Sequence, residues 1–380
     1  MERGSKSGLL NAFQRTLDTR QSHSARRQLT VSPSTSADFS SNDFLSLAKS
    51  TDLRQAYDLE SARQSTLPLG SGGSRLLDGN SLYAENLEKE IAAFHNAPSG
   101  LLFNSGFDAN TGVFACIPQP GDVVLYDEHI HASVHEGMRL SRARLTKAFA
   151  HNSPSDLKHT LLGLLNEDSA LRNGTRNVFV AVETVYSMDG DVAPIVEILD
   201  MLDTLLPHGN SHLVVDEAHS TGVYGPRGRG LVCALGVEDR CLARLHTFGK
   251  ALSANGAILL CPPVMRDYLI NYARSLIYTT AMSLPALVLI RAVYSLLIAG
   301  HTLARQRHLW DLTTQKAASD TATDGPQVAH LLPIDAAPAQ PRPALPECRL
   351  RRSTHRAADG AGGRPARARV FARWQHAARG

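Results

Sequence analysis

An α/β fold, with a mostly parallel sheet covered by helices on both faces, is what this 380-residue sequence predicts. Two observations carry that expectation. Between about residues 66 and 280, short β-branched runs alternate with stretches of helical length, the pattern of parallel strands joined by crossover helices. Two of these runs end in polar chemistry: "SHLVVDEAHS" leads into Asp216 and His219, and "LARLHTFGK" ends on Lys250, a lysine set among Gly, Ala, Ser and Thr in "HTFGKALSANGA". Ligands of such sheets sit beyond the carboxyl ends of the strands, so a site is expected there.

In chain order, residues 1–50 read as an N-terminal arm. Its first 35 residues are polar and Ser/Arg-rich with one short helix, and ordered structure begins in "ADFSSNDFLSLAKS". A large domain spans 51–283, with strand runs in "GLLFNSGFDANTGVFACI", "DVVLYDEH", "RNVFVAVETVYS", "SHLVVDEAHS", "LARLHTFGK" and "GAILLCP". The stretch "LPALVLIRAVYSLLIAGHTLARQRHLWDL" predicts one long helix over 284–313 that leads to a small domain. From 314 to 380 the periodicity is gone, and "PIDAAPAQPRPALP" with the Arg/Ala/Gly stretch behind it reads as low complexity and disorder.

Composition narrows the function classes. Apolar residues make up 43% and charged residues 20%, as in globular proteins. The most apolar run, "SLPALVLIRAVYSLLIAG", is interrupted by Arg291, short of the roughly 20 apolar residues a bilayer needs, so no membrane partner is expected. The basic N-terminus lacks an apolar core of the secretory kind, while organelle targeting stays open. Cys116, Cys233, Cys241, Cys261 and Cys348 form no CxxC pair, which predicts no metal site and a reduced, cytoplasmic setting. From Arg342 onward stand ten arginines against two acids and no lysine, a charge of +8 within an overall +3, so the preceding residues carry −5. The basic balance belongs to the tail, and no nucleic-acid partner is expected.

An aspartate at a strand end can be a metal ligand, a helix cap, or the partner of a protonated ring nitrogen. No second carboxylate or histidine cluster offers metal spacing, and Lys250 follows on the next strand. A lysine able to form a Schiff base, paired with a strand-end aspartate, is the combination that pyridoxal phosphate requires. Its phosphate needs an anion site, and Ser105, Gly106 and Phe107 lie at a strand-to-helix turn where free amides favour one. His131 in "DEHIHAS" is a candidate to stack on the ring, or an ordinary packed or surface histidine.

Together "GSGGSRLLDGN", "NSGFDAN", "HAS", "ETVYSMDGD", "DEAHSTGVYG" and "HTFGKA" occur in the order and spacing of the α-oxoamine synthases, a family that this sequence resembles over about residues 37–310. The resemblance implies the fold type I architecture of pyridoxal-phosphate enzymes. It also implies that Lys250 carries the cofactor and moves the substrate Cα proton, that Asp216 pairs with the pyridine nitrogen, that His219 contacts the phenolic oxygen and that His131 stacks on the ring. Gly106, Phe107 and Thr247 would bind phosphate, and Ser187 would lie close to the cofactor. Thr279 and Thr280, in "SLIYTTAM", would reach the phosphate of a neighbouring subunit, which implies a homodimer. The reaction implied is decarboxylative condensation of an amino acid with an acyl-CoA, alanine and pimeloyl-CoA in the biotin-pathway branch that the sequence looks most like. Branches using glycine or serine share these motifs. An aminotransferase of the same fold and a non-catalytic paralogue are the alternatives.

The family continues into a small C-terminal domain with an arginine that grips the substrate carboxylate, and this sequence departs from it there. Read one nucleotide forward through GC-rich codons, residues 350–376 give a run beginning Phe-Asp-Val-Arg-Pro-Ile-Val-Pro-Pro, which resembles the family's C-terminal motif. The tail is therefore read as a frame-shifted translation with the shift before Leu350. A chain ending this way is expected to fold poorly, or to bind cofactor without turning over.

Overall fold

The computed structural model describes residues 8–320, apart from 32, 34, 35, 37 and 39. The frame-shift reading of 350–376 and the small C-terminal domain fall outside the described residues.

Seven strands form one sheet: β1 (Gly100–Phe103), β2 (Val123–Asp127), β3 (Leu145–Phe149), β4 (Val178–Glu183), β5 (Ser211–Asp216), β6 (Ala243–Thr247) and β7 (Ala257–Leu260), in the order β1-β7-β6-β5-β4-β2-β3. Every pairing is parallel except those of β7, which runs antiparallel to both β1 and β6. The expected mostly parallel sheet is thus observed, with one reversed strand created by a tight β6–β7 loop.

Successive residues of the central strands enter opposite cores. Leu125, Val180, Val182, Leu213 and Val215 face one layer of apolar packing. Val124, Phe179, Ala181, Val214 and Leu245 face the other. Burial on both faces is why these strands read as unbroken apolar runs, and each fully buried Val or Leu side chain contributes about 1.5–3 kcal/mol.

The helices are α1 (Gly8–Ser22), α2 (Thr51–Arg63), α3 (Leu82–Phe94), α4 (Gly106–Cys116), α5 (Ala132–Arg139), α6 (Pro154–Glu167), α7 (Ser169–Arg172), α8 (Ile195–Leu205), α9 (Leu231–Leu235), α10 (Pro263–Tyr272), α11 (Arg274–Ile277), α12 (Leu284–Ala299) and α13 (Leu303–Asp320). Helices α4, α5 and α10 cover one face of the sheet through Val113, Val134 and Leu269. The other face is covered by α6 and α8 through Leu157, Leu161 and Ile198, and by α2, α3 and α12 where β1 and β7 present Leu102, Ile258 and Leu260.

Two expectations change. β3 is absent from the strand runs read in the sequence, because this edge strand exposes Thr146, Lys147 and Ala148 and carries no apolar alternation. The single long helix over 284–313 is two helices. Gly300 ends α12 in the left-handed conformation at φ 79°, and α13 leaves at 80° to it and runs on to Asp320, past the expected end at Thr313. No described helix is by itself long and apolar enough to cross a membrane.

"GSGGSRLLDGN" is pinned rather than free. Arg75 pairs with the buried Glu88 of α3 and bonds Asn80 Oδ1 at 3.0 and 2.7 Å. Glu88 also receives the Leu102 amide and Arg266, each at 2.8 Å, so one carboxylate joins the loop, α3, β1 and α10. The loop closes on itself so tightly that a Cβ on Gly79 would collide with the Gly73 carbonyl, whereas one on Gly70 meets nothing within 4 Å. Gly79→Ala should lower the unfolding free energy by about 1–3 kcal/mol in denaturant titration. Gly70→Ala should stay within about 0.5 kcal/mol of the parent.

Candidate active site

The carboxyl ends of β2, β4, β5 and β6 bring Asp127, Glu183, Asp216 and Thr247 to one edge of the sheet, and Asn104 and Ser105 follow β1 at the same edge. Lys250 stands in the loop that turns β6 into β7. That loop is a tight hairpin in which the Phe248 amide donates to Gly256 O, the Ala254 amide to Phe248 O and the Ser253 amide to Lys250 O, each at 2.9 Å. Gly256 takes φ 105° and Ser253 φ 51°, the latter held by its hydroxyl bond to Asp43. The small residues around Lys250 are therefore first a requirement of the turn, with Ala251 and Leu252 buried beneath it.

Lys250 Nζ lies 2.8 Å from His219 Nε2. Burial pushes the His219 imidazole down to about 4, helped by the Lys250 and His131 charges, so this ring is neutral and accepts from the ammonium. Burial also lowers the Lys250 pKa, against the attraction of Asp216 and Glu183. A lowered pKa raises the fraction of free amine, the form that attacks an aldehyde.

Asp216 is buried, with Oδ2 accepting from Asn110 Nδ2 at 2.8 Å and Oδ1 from the Ala218 amide at 2.9 Å. Glu183 lies directly opposite it across β4 and β5. Burial, then the Asp216 charge, pushes the Glu183 carboxyl up to about 8, so at neutral pH it is mostly protonated. His131 caps α5 and is exposed, with Nδ1 2.7 Å from Ser133 Oγ.

The N-terminus of α4 is capped by Ser105, whose hydroxyl accepts from the Asp108 amide at 3.0 Å while its carbonyl takes the Ala109 amide. This leaves the Gly106 and Phe107 amides with no acceptor inside the helix. A Cβ on Gly106 would stand 3.5 Å from Thr247 Cβ and 3.6 Å from its Oγ1, so the helix start and the Thr247 hydroxyl lie side by side where the free amides favour an anion. Thr279 and Thr280 are tied to Asn104, whose Nδ2 donates to Thr279 Oγ1 at 3.2 Å and to Thr280 O at 2.8 Å. Ser187 is exposed on the turn closed by the Val185–Val192 bridge. The described residues fit pyridoxal phosphate: a buried carboxylate for a ring nitrogen, an amine of lowered pKa, an exposed imidazole for a ring face and amides for a phosphate.

The sequence model of the family described as aminotransferase class I and II matches residues 35–309. The chain belongs to this family. It is 58% identical to an 8-amino-7-oxononanoate synthase of Emericella nidulans over 305 residues, 80% of this chain and 74% of that protein. Over 322 residues it is 42% identical to the aminoacyl transferase sphA of Aspergillus fumigatus, covering 82% of this chain and 68% of that one. Among solved structures, a Sphingomonas wittichii serine palmitoyltransferase matches with TM-score 0.62 and 26% identity over 71% of this chain, which spans only 63% of that protein. The 8-amino-7-oxononanoate synthase of Francisella tularensis matches with TM-score 0.55 and 28% identity over 70% of each chain.

The structure draws in residues that the sequence reading passed over. Glu183 ends an apolar strand as Asp216 does, so the same signal was available for it. Asn110 and Ser133 are small polar residues inside helices, which sequence alone cannot aim at a site. A further cluster braces the Ser187 turn: His151 Nδ1 meets Asp127 Oδ1 at 2.8 Å and Nε2 meets Asp191 Oδ2 at 2.5 Å, with His129 stacked 4.1 Å away. Burial pulls the His151 pKa down, but the hydrogen bonds to Asp127 and Asp191 outweigh it and the net shift is upward. A raised pKa contributes stability that is complete below the unfolded-state value of about 6.5 and is lost as pH rises through the folded one. The stability difference between the parent chain and His151→Gln should therefore shrink as pH rises above about 6.5 in denaturant titrations. A difference that stays flat above that pH would show that His151 carries no charge here.

Proposed function

We propose that this chain condenses an amino acid with an acyl-CoA at the Lys250 site, using pyridoxal phosphate and acting as a homodimer. The observation that carries the reading is the meeting of Lys250 and His219 with the buried Asp216 at the carboxyl edge of the sheet. Bound there, pyridoxal phosphate supplies an electron sink for the pair left when a Cα–H or Cα–carboxylate bond breaks.

Each residue has a task that its surroundings prepare. Asp216, locked by Asn110 and Ala218, holds a negative charge where a ring nitrogen must stay protonated. Lys250 is both attacking amine and proton carrier, and its lowered pKa raises the fraction of free amine that can take up a proton. His219 accepts from Lys250 and fixes the direction of the Nζ lone pair. Gly106, Phe107 and Thr247 would hold the phosphate at the turn that Ser105 shapes, and His131 and Ser187 would lie beside the ring. Thr279 and Thr280 would serve the phosphate of the second subunit in the homodimer. In the net reaction the amino acid's Cα bonds to the acyl carbonyl carbon, the thioester C–S bond breaks, the amino-acid carboxylate leaves as carbon dioxide, and one proton taken up from solvent releases CoA as its thiol.

Alanine and pimeloyl-CoA are the substrates supported by the similarity to 8-amino-7-oxononanoate synthases, with serine or glycine as the competing amino acids. Adding pyridoxal phosphate to the purified chain should produce an absorbance band at the visible edge. Lys250→Ala should abolish the band, and Asp216→Ala should lower turnover at least about a hundredfold. CoA-thiol release with alanine exceeding that with serine or glycine supports the substrate assignment. A chain that forms the band but releases no CoA should gain turnover when the frame is restored before Leu350, as the frame-shift reading requires. Failure of both forms to release CoA would sink the condensation reading.

A further inference from the structure

Asp216 and His131 belong to different elements and serve opposite parts of the site, yet two buried side chains join them. Asn110 in α4 is 2% exposed and Ser133 in α5 is 0% exposed. Asn110 Nδ2 donates to Asp216 Oδ2 at 2.8 Å and to Ser133 Oγ at 3.0 Å, and Ser133 Oγ lies 2.7 Å from His131 Nδ1.

Chemistry fixes the direction of every bond in this chain. A carboxylate only accepts, so the amide of Asn110 must turn its nitrogen to Asp216. The second N–H of that nitrogen then goes to Ser133 Oγ, which accepts there and has its own proton left for His131. The Ser133 backbone amide adds a second donor to the same Nδ1 at 3.2 Å. With two donors aimed at it, Nδ1 must be the unprotonated nitrogen, and the ring proton sits on Nε2.

We propose that Asn110 and Ser133 are positioning residues that transmit the charge of Asp216 to His131 and hold its ring in the Nε2–H tautomer. What this serves rests on the cofactor reading above: the two groups that would grip the pyridine ring, one at its nitrogen and one on its face, are set by a single polarised chain. Loss of negative charge at Asp216 would reverse the chain. The Asn110 amide could then present its oxygen to the neutral replacement and to the Ser133 hydroxyl, so Ser133 would accept from His131; that contact at 2.7 Å outweighs the backbone amide at 3.2 Å, and the ring proton would move to Nδ1.

The test reads the His131 ring nitrogens by ¹⁵N NMR in cofactor-free protein, at alkaline pH on the plateau where their shifts no longer change with pH. The parent chain should show Nε2–H in at least about tenfold excess, a ratio one good hydrogen bond can sustain. Asp216→Asn, which keeps shape and removes charge, should invert the excess. Ser133→Ala should cut it about fivefold, the backbone amide alone remaining, and Ser133→Thr should restore it. If Asn110 merely satisfied Asp216, the tautomer would not follow the Asp216 charge, and an unchanged excess in Asp216→Asn would overturn the proposal. Should that variant not fold, an unchanged excess in Ser133→Ala overturns it instead. The cofactor band is scored separately: tautomer inversion without a band defeats the cofactor reading and leaves the relay standing, while a band without inversion does the reverse.

Discussion

The constraint on which this site depends is the burial of two carboxylates and one ammonium at the same edge of the sheet. Asp216 and Glu183 end neighbouring strands in register, and Lys250 hangs over them from the β6–β7 loop. Burial, then the Asp216 charge, pushes the Glu183 carboxyl up against the pull of Lys250 and a hydrogen bond from the His131 amide, while Asp216 accepts from Asn110 and the Ala218 amide. Isolated buried charges cost several kcal/mol each, so an arrangement like this persists only where the surrounding fold over-determines it.

The fold does so through register and tight turns. Parallel pairing of β4, β5 and β6 fixes which residues face each other at the carboxyl edge, and a slip of one residue would send Asp216 to the opposite face. The reversed strand β7 then brings the chain back beside β6, so that Lys250 belongs to a short hairpin with little freedom. The N-terminal segment locks the hairpin from outside: Asp43 accepts the Ser253 hydroxyl and the Leu47 and Ala48 amides, and Phe44 lies against His219 with ring centroids 5.9 Å apart.

Much of this was legible in the sequence, and what was not has physical reasons. The central strands announced themselves because both their faces are buried, and Asp216, His219 and Lys250 stood out because a lysine of small-residue setting follows the strand-end aspartate on the next strand, whereas Asp127 and Glu183 end their strands with no such partner in the sequence. Edge strand β3 carries the opposite signature: its exposed side chains are free to be polar, so no periodicity marks it. The break at Gly300 was visible as a glycine, yet apolar residues on both sides outweighed it in the helical pattern. Asn110 and Ser133 were hidden for another reason. Their importance lies in who their partners are, and those partners are 106 positions away for Asn110 and 23 positions apart between the two.

The charge balance also explains why Lys250 needs a buried and crowded setting rather than an exposed one. At neutral pH the cluster holds one carboxyl mostly protonated, Glu183, and one ammonium whose pKa is depressed. That depression comes from burial, which outweighs the attraction of Asp216 and Glu183. An exposed lysine in the same loop would escape the desolvation cost and keep a smaller fraction of free amine, the form that attacks a carbonyl.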